Sequence, residues 1–210
     1  GGSIKVLGEP LLELQDVYPH KNLYEIKNYC KEKNIDYASY VYRFDLDIKP
    51  YLEKIYDTML NSIQRGLESE GTLHGDLHVI RKAKSLYNTH KKESDELQRK
   101  RRLIAYAYAV AEENASGGEI VTAPTCGASG IIPSCLRTML EDGISKDKLI
   151  DGLAVAGLFG NLIKFNASIS GAEAGCQAEV GSACSMASAM IAHVYGLSLD
   201  SIEQAAEIAL

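Results

Sequence analysis

The chain has 210 residues, 46% of them hydrophobic and 24% charged, which is enough to close one sizeable core with the composition of an ordinary globular protein. A formal net charge of −6 argues against nucleic-acid binding through general electrostatics. With no basic leader, no uninterrupted apolar stretch of spanning length, and five cysteines outside any dense disulfide spacing, the expectation is reduced thiols in a cytoplasmic protein that engages no membrane.

Residues 1–19, which start Gly-Gly-Ser, read as an arm or linker, and residues 20–210 as one domain. Asn22 followed by Glu25 has the spacing of a capping box, and Leu23, Ile26 and Cys30 recur at helical spacing, which places Cys30 in a core. Residues 47–67 set Pro50 in a first turn and Leu52, Ile55, Tyr56, Met59 and Ile63 on one face, with Gly66 and Gly71 expected to end that helix. His74 and His78 are four apart and a helix would align them as metal ligands, but Gly75 lies between them and no third ligand is near, which favours a loop. The basic run HKKESDELQRKRR at 90–102 is broken by acids and reads as a solvated face.

A helix is expected over 95–115 with Leu103, Ile104, Tyr108 and Ala111 inward, stopped by ENASGG at 113–118. Further helices are expected at 132–142, 146–166, 178–195 and 200–210, and only 119–125 reads as extended. The expected class is mainly α: a single multi-helix domain with at most one short extended segment. Gly152, Ala156 and Gly160 recur every four residues, as Ala183, Ala187 and Ile191 do less strictly, and such rows let helix backbones approach closely. Charge is uneven: residues 1–105 carry 18 Lys and Arg against 16 acids, residues 106–210 only 4 against 12, together with 12 of the 18 glycines. The second half therefore reads as the packed core with a site.

In VTAPTCGASGIIPSCL (121–136), hydroxyls and glycines precede a helix with Pro133 in its first turn, where free N–H groups favour an anion. The stretch has no lysine, so a Walker loop is excluded and a small carboxylate is the better ligand; turn glycines and a cap alone would explain it equally well. Cys126, beside a helix start, is a nucleophile candidate whose base would be His74, His78 or His193. Cys135 falls on the apolar side of the next helix.

The stretch KFNASISGAEAGCQAEVGSACSMASAM (164–190) presents Cys176 in a turn and Cys184 within the following helix of small residues. A loop cysteine beside a helix start suits a metal, whereas one among alanines suits packing. EENASGGEIVTAPTCGASGIIP, NASISGAEAGCQAEVGSACSMA and, more weakly, RGLESEGTLHG together resemble the α (catalytic) domain of the iron–sulfur L-serine dehydratases, from about residue 22 to the end.

That resemblance implies an L-serine ammonia-lyase yielding pyruvate and ammonia without pyridoxal phosphate, through a 4Fe-4S cluster held by three cysteines with one iron open as a Lewis acid. Carried over by position, Cys176 matches the first cluster ligand and Cys184 a structural position. Thr122, Thr125, Gly127, Ser129 and Gly130 match the loop around the substrate carboxylate, and Asn166, Ser168 and Ser170 the approach to Cys176. Lys164, Glu173 and His74 are the candidates for the α-proton base. The family's other two cluster cysteines, in Cys-Asp-Pro and Cys-x-x-Arg-Asn stretches, do not occur here.

The final SLDSIEQAAEIAL has a cap at Ser198 or Asp200 but no stop signal, so a truncated domain is expected, inactive alone, with a regulatory β domain or subunit elsewhere and exposed faces that promote a homodimer. Two other readings remain: a cysteine-desulfidase-like cluster lyase on the same helices, and a non-enzymatic helical module whose loop holds a small carboxylate.

Overall fold

Asn22 Oδ1 accepts from the Glu25 N–H at 3.0 Å and the Glu25 carboxylate accepts from the Lys21 N–H at 3.0 Å, so a pair of local caps starts α1 (Leu23–Lys33). The computed structural model describes residues 17–88 and 92–210; most of the 1–19 arm and the first two residues of the 90–102 run lie outside the described residues. Asp36 caps α2 (Tyr37–Phe44) by accepting from the Ser39 N–H at 2.7 Å, and Tyr37, Tyr40 and Val41 bury its inner face. This helix has no counterpart in the sequence reading, because it is short and its apolar residues are mostly tyrosines.

Leu52, Tyr56, Met59 and Ile63 are buried along α3 (Ile48–Glu68), as their spacing predicts. Gly66 does not end this helix. It lies inside it, buried, where a Cβ would run into the Ala109 carbonyl of α5 (Asp95–Ala115), so its role is close approach. Between them sits α4 (Ala83–Tyr87).

The inward face of α5 also differs from the expectation. Ala105, Tyr106, Ala109 and Val110 are buried, whereas Ile104 and Tyr108 are 48% and 40% exposed. The large apolar side chains misled the reading: contact with α3 and with the loop before α6 (Ile131–Glu141) is so tight that alanines face inward, Ala109 opposite Gly66 and Ala107 opposite Gly130.

The remaining helices are α7 (Lys146–Asn166), α8 (Gly171–Ala174), α9 (Cys176–Val194) and α10 (Leu199–Ala209), the last started by Ser198, whose Oγ accepts from the Ser201 N–H at 3.2 Å. Residues 119–125 are irregular. The described residues contain no strand, only an isolated antiparallel bridge between Thr72 and Ile80. The fold is all-α, ten helices among the described residues in one domain.

The centre is the α7–α9 pair. Gly152 faces Val194 and Met190, and Gly160 faces Met186, so the small-residue row does bring the two backbones together. On length and composition α7 is apolar enough to cross a membrane, yet here it is the core helix, covered by α9, α2 and α3. A smaller cluster of Ile63, Tyr106 and Val110 joins α3 to α5.

Candidate functional site

The loop before α6 faces two ways. Its first part, Thr122 to Pro124, with a cis peptide bond between Ala123 and Pro124, lines an open cleft of about 860 Å³ whose other walls come from α1–α3, α6, α7 and α9, with Lys164 exposed at its side. Past Pro124 the chain turns toward α5 and α9. Thr125 is partly buried, and its Oγ1 is shut off from solvent with no hydrogen-bond partner among the described residues. The Cys126 carbonyl accepts from Ser129 Oγ at 2.7 Å and from Asn114 Nδ2 at 3.2 Å, while a Cβ at Gly130 would lie 2.6 Å from the Ala107 carbonyl oxygen. Ser129 and Gly130 thus hold the loop's shape, with Thr125 partly buried and Cys126 and Gly127 exposed.

The second stretch begins where α7 ends. Asn166 Nδ2 donates to the carbonyls of Lys21 at 3.1 Å and Leu162 at 2.9 Å, tying α7 to the start of α1. Ser168 Oγ donates to Glu173 Oε2 at 2.5 Å and accepts from the Ser170 N–H at 3.1 Å, which closes the turn over α8. Gly175 then takes φ 79°, a left-handed conformation that suits glycine, and Cys176 follows as the first residue of α9 with an exposed side chain.

These two stretches meet at Glu179. It lies one turn beyond Cys176, with its carboxylate wedged between two glycines: a Cβ on Gly127 would be 3.4 Å from Glu179 Oε2, and a Cβ on Gly171 would be 3.0 Å from it. Among the described residues Glu179 has no ion pair and no side-chain hydrogen bond. The sequence reading gave it no role. The signal available was the i, i+3 spacing from Cys176, which puts both on one helix face.

Residues 18–210 match the family described as serine dehydratase alpha chain. The chain belongs to the serine dehydratase alpha chain family. An L-serine dehydratase of Haemophilus influenzae is 40% identical to this alpha chain over 210 residues, 94% of this chain and 46% of that protein. One of Streptomyces coelicolor is 40% identical over 92% of this chain and 44% of its own length. L-serine dehydratase 2 of Escherichia coli is 38% identical over 92% and 45%. The alpha chain therefore spans just under half the length of these relatives.

Of the three base candidates in this alpha chain, Lys164 is exposed at the side of the cleft, Glu173 is engaged by Ser168, and His74 is exposed at the tip of a separate loop closed by the Thr72–Ile80 bridge. The root of that loop rests on acids the sequence reading passed over. Glu112 Oε1 accepts from the N–H groups of Lys82 at 2.6 Å and Ala83 at 3.2 Å, Glu113 Oε2 accepts from Arg65 Nε at 2.9 Å, and Arg81 Nη1 lies 3.7 Å from Glu113 Oε1. Two acids in the last turn of a helix oppose its dipole, which is itself a sequence signal for cationic partners.

Iron–sulfur clusters are held by cysteine thiolates. Cys176 suits one such bond, since its thiol is exposed at the start of a long helix and follows a glycine that adds no bulk. Among the described residues no three His, Cys, Asp or Glu side chains converge as a metal site. These residues fit one ligand of a cluster and not a full set.

Proposed function

We propose that this alpha chain carries the substrate-facing part of an L-serine ammonia-lyase, with Cys176 as one of three cysteine ligands to a 4Fe-4S cluster. In that reaction serine loses its α-proton and its hydroxide, and the resulting aminoacrylate tautomerises and hydrolyses to pyruvate and ammonia. When bound, the cluster would supply a Lewis acid for the departing hydroxide.

The observation that carries this reading is the meeting of the glycine loop with the Cys176 turn at Glu179, which gathers an uncharged polar loop, an exposed thiol and an unpaired carboxylate in one place. Thr125 Oγ1 is a buried hydroxyl with no hydrogen-bond partner among the described residues, within the loop that the reading assigns to the substrate carboxylate. Lys164 and Thr122 line the cleft, whose walls do not include Thr125, Cys176 or Glu179, so Lys164 serves as the base only for a substrate that reaches the site through that cleft.

Because the relatives are about twice as long, the reading also assigns part of the working enzyme to polypeptide beyond this chain, a regulatory β domain or subunit included. Anaerobic reconstitution with iron and sulfide tests both claims. The form matching the relatives' length is expected to gain cluster absorption and release pyruvate from L-serine, and the 210-residue chain alone to do neither. A fully loaded long form that leaves serine untouched would overturn the reading, and sulfide release from cysteine would replace it with a desulfidase-type lyase.

A further inference from the structure

We propose that Glu179 recognises the α-ammonium group of the substrate and so selects α-amino acids over hydroxy acids; the assignment rests on the serine reading above. A zwitterionic substrate needs an anion-accepting and a cation-accepting element side by side. Residues 121–130 contain no charged side chain, and the hydroxyls and N–H groups of this loop are donors suited to the carboxylate.

Glu179 is the carboxylate placed against that loop, through Gly127, and Glu173 on the neighbouring turn is already engaged by Ser168. Gly171 leaves room for the Glu179 carboxylate: a Cβ there would lie 3.0 Å from Oε2, so the carboxylate would have to shift by a few tenths of an ångström. Glu179 is partly buried and has no partner among the described residues, which leaves its carboxylate available to accept from a substrate ammonium.

The test compares L-serine with 3-hydroxypropanoate, which keeps the carboxylate and hydroxyl and replaces the ammonium by hydrogen. Binding of each is measured on the cluster-loaded long form, by rapid mixing ahead of turnover for L-serine and at equilibrium for 3-hydroxypropanoate, for the parent protein and for Glu179→Gln, Glu179→Asp and Gly171→Ala. Glu179→Gln should weaken L-serine binding by about 10- to 100-fold, the range for losing a charge-assisted hydrogen bond, and leave 3-hydroxypropanoate within about twofold. Glu179→Asp should recover part of the loss. Gly171→Ala, which displaces the carboxylate without removing its charge, should also weaken serine selectively.

Equal weakening of both ligands, or unchanged serine binding by Glu179→Gln, would overturn the assignment. A parent enzyme that makes pyruvate while Glu179→Gln binds serine normally removes the assignment and leaves the serine reading standing. A parent enzyme that binds no serine removes the reading and the assignment with it.

Discussion

Gly152 of α7 and Val194 of α9 approach so closely that a Cβ on Gly152 would lie 2.7 Å from Val194 Cγ2, with Met190 Cγ at 2.9 Å on the other side. Valine is stiff at χ1 and the Met190 contact falls midway along its side chain, so neither can yield cheaply. Gly152→Ala is expected to cost about 1–3 kcal/mol through overpacking, offset by up to about 1 kcal/mol of helix propensity. At Gly160 the clash is with the Sδ and Cε of Met186, the free end of a flexible chain, so Gly160→Ala should be near neutral. Thermal melts decide it: a Gly160→Ala melting temperature lower than that of Gly152→Ala would contradict the packing described.

Glu113 stands between Arg65 and Arg81 with 8% of its side chain exposed, and Glu112 holds the first N–H groups of α4. Removing one partner of a buried pair leaves the other charge uncompensated, but Arg65 is 40% exposed and water will screen part of the loss. Glu113→Ala is therefore expected to destabilise by roughly 2–3 kcal/mol, below the range for fully buried pairs. Glu112→Ala should act locally as well, with faster amide exchange at Lys82 and Ala83. Unchanged exchange at those two amides would refute the anchoring role.

Elements marked by several agreeing local signals are legible in the sequence. Asn22, Pro50 and the ENASGG stop mark boundaries that the helices respect within a residue or two, and the small-residue row of α7 announces its close packing. Cys30, placed in the core by spacing alone, is fully buried, and that burial raises its thiol pKa to about 11. What is not legible depends on neighbours distant in sequence. Ala109 faces inward because Gly66 lies opposite it, and Glu179 matters because Gly127 and Gly171 converge on it. Side-chain size along one helix carries no information about either.

His193, in the last turn of α9, has its pKa lowered by burial, with Asp36 and Asp151 acting weakly in the opposite direction. The folded state therefore favours the neutral ring. Between the lowered folded value and the ordinary 6.5, the unfolded chain binds more protons, so stability is full above about pH 6.5 and is lost as pH falls through the folded value. His193→Gln should flatten that part of the stability–pH curve. A denaturation midpoint in the variant that still falls between pH 7 and pH 5 as steeply as in the parent would rule His193 out as its source.

The cysteines divide by surroundings, and the division can be tested without any cluster. Cys126 and Cys176 are exposed, Cys30 is buried, and Cys135 and Cys184 are partly buried on the facing helices α6 and α9, where burial and then the nearby Cys184 thiol push the Cys135 thiol up. A low dose of a thiol alkylator under native conditions should label Cys126 and Cys176 first, with Cys30, Cys135 and Cys184 reacting only on unfolding. Cys184→Ser should then leave iron incorporation in the reconstituted long form intact, whereas Cys176→Ser should abolish it, because of these two thiols it is Cys176 that is exposed at a helix start where a ligand can approach. If Cys184 labelled as fast as Cys176, the packing role would be wrong and the two thiols would have to be treated as an accessible pair.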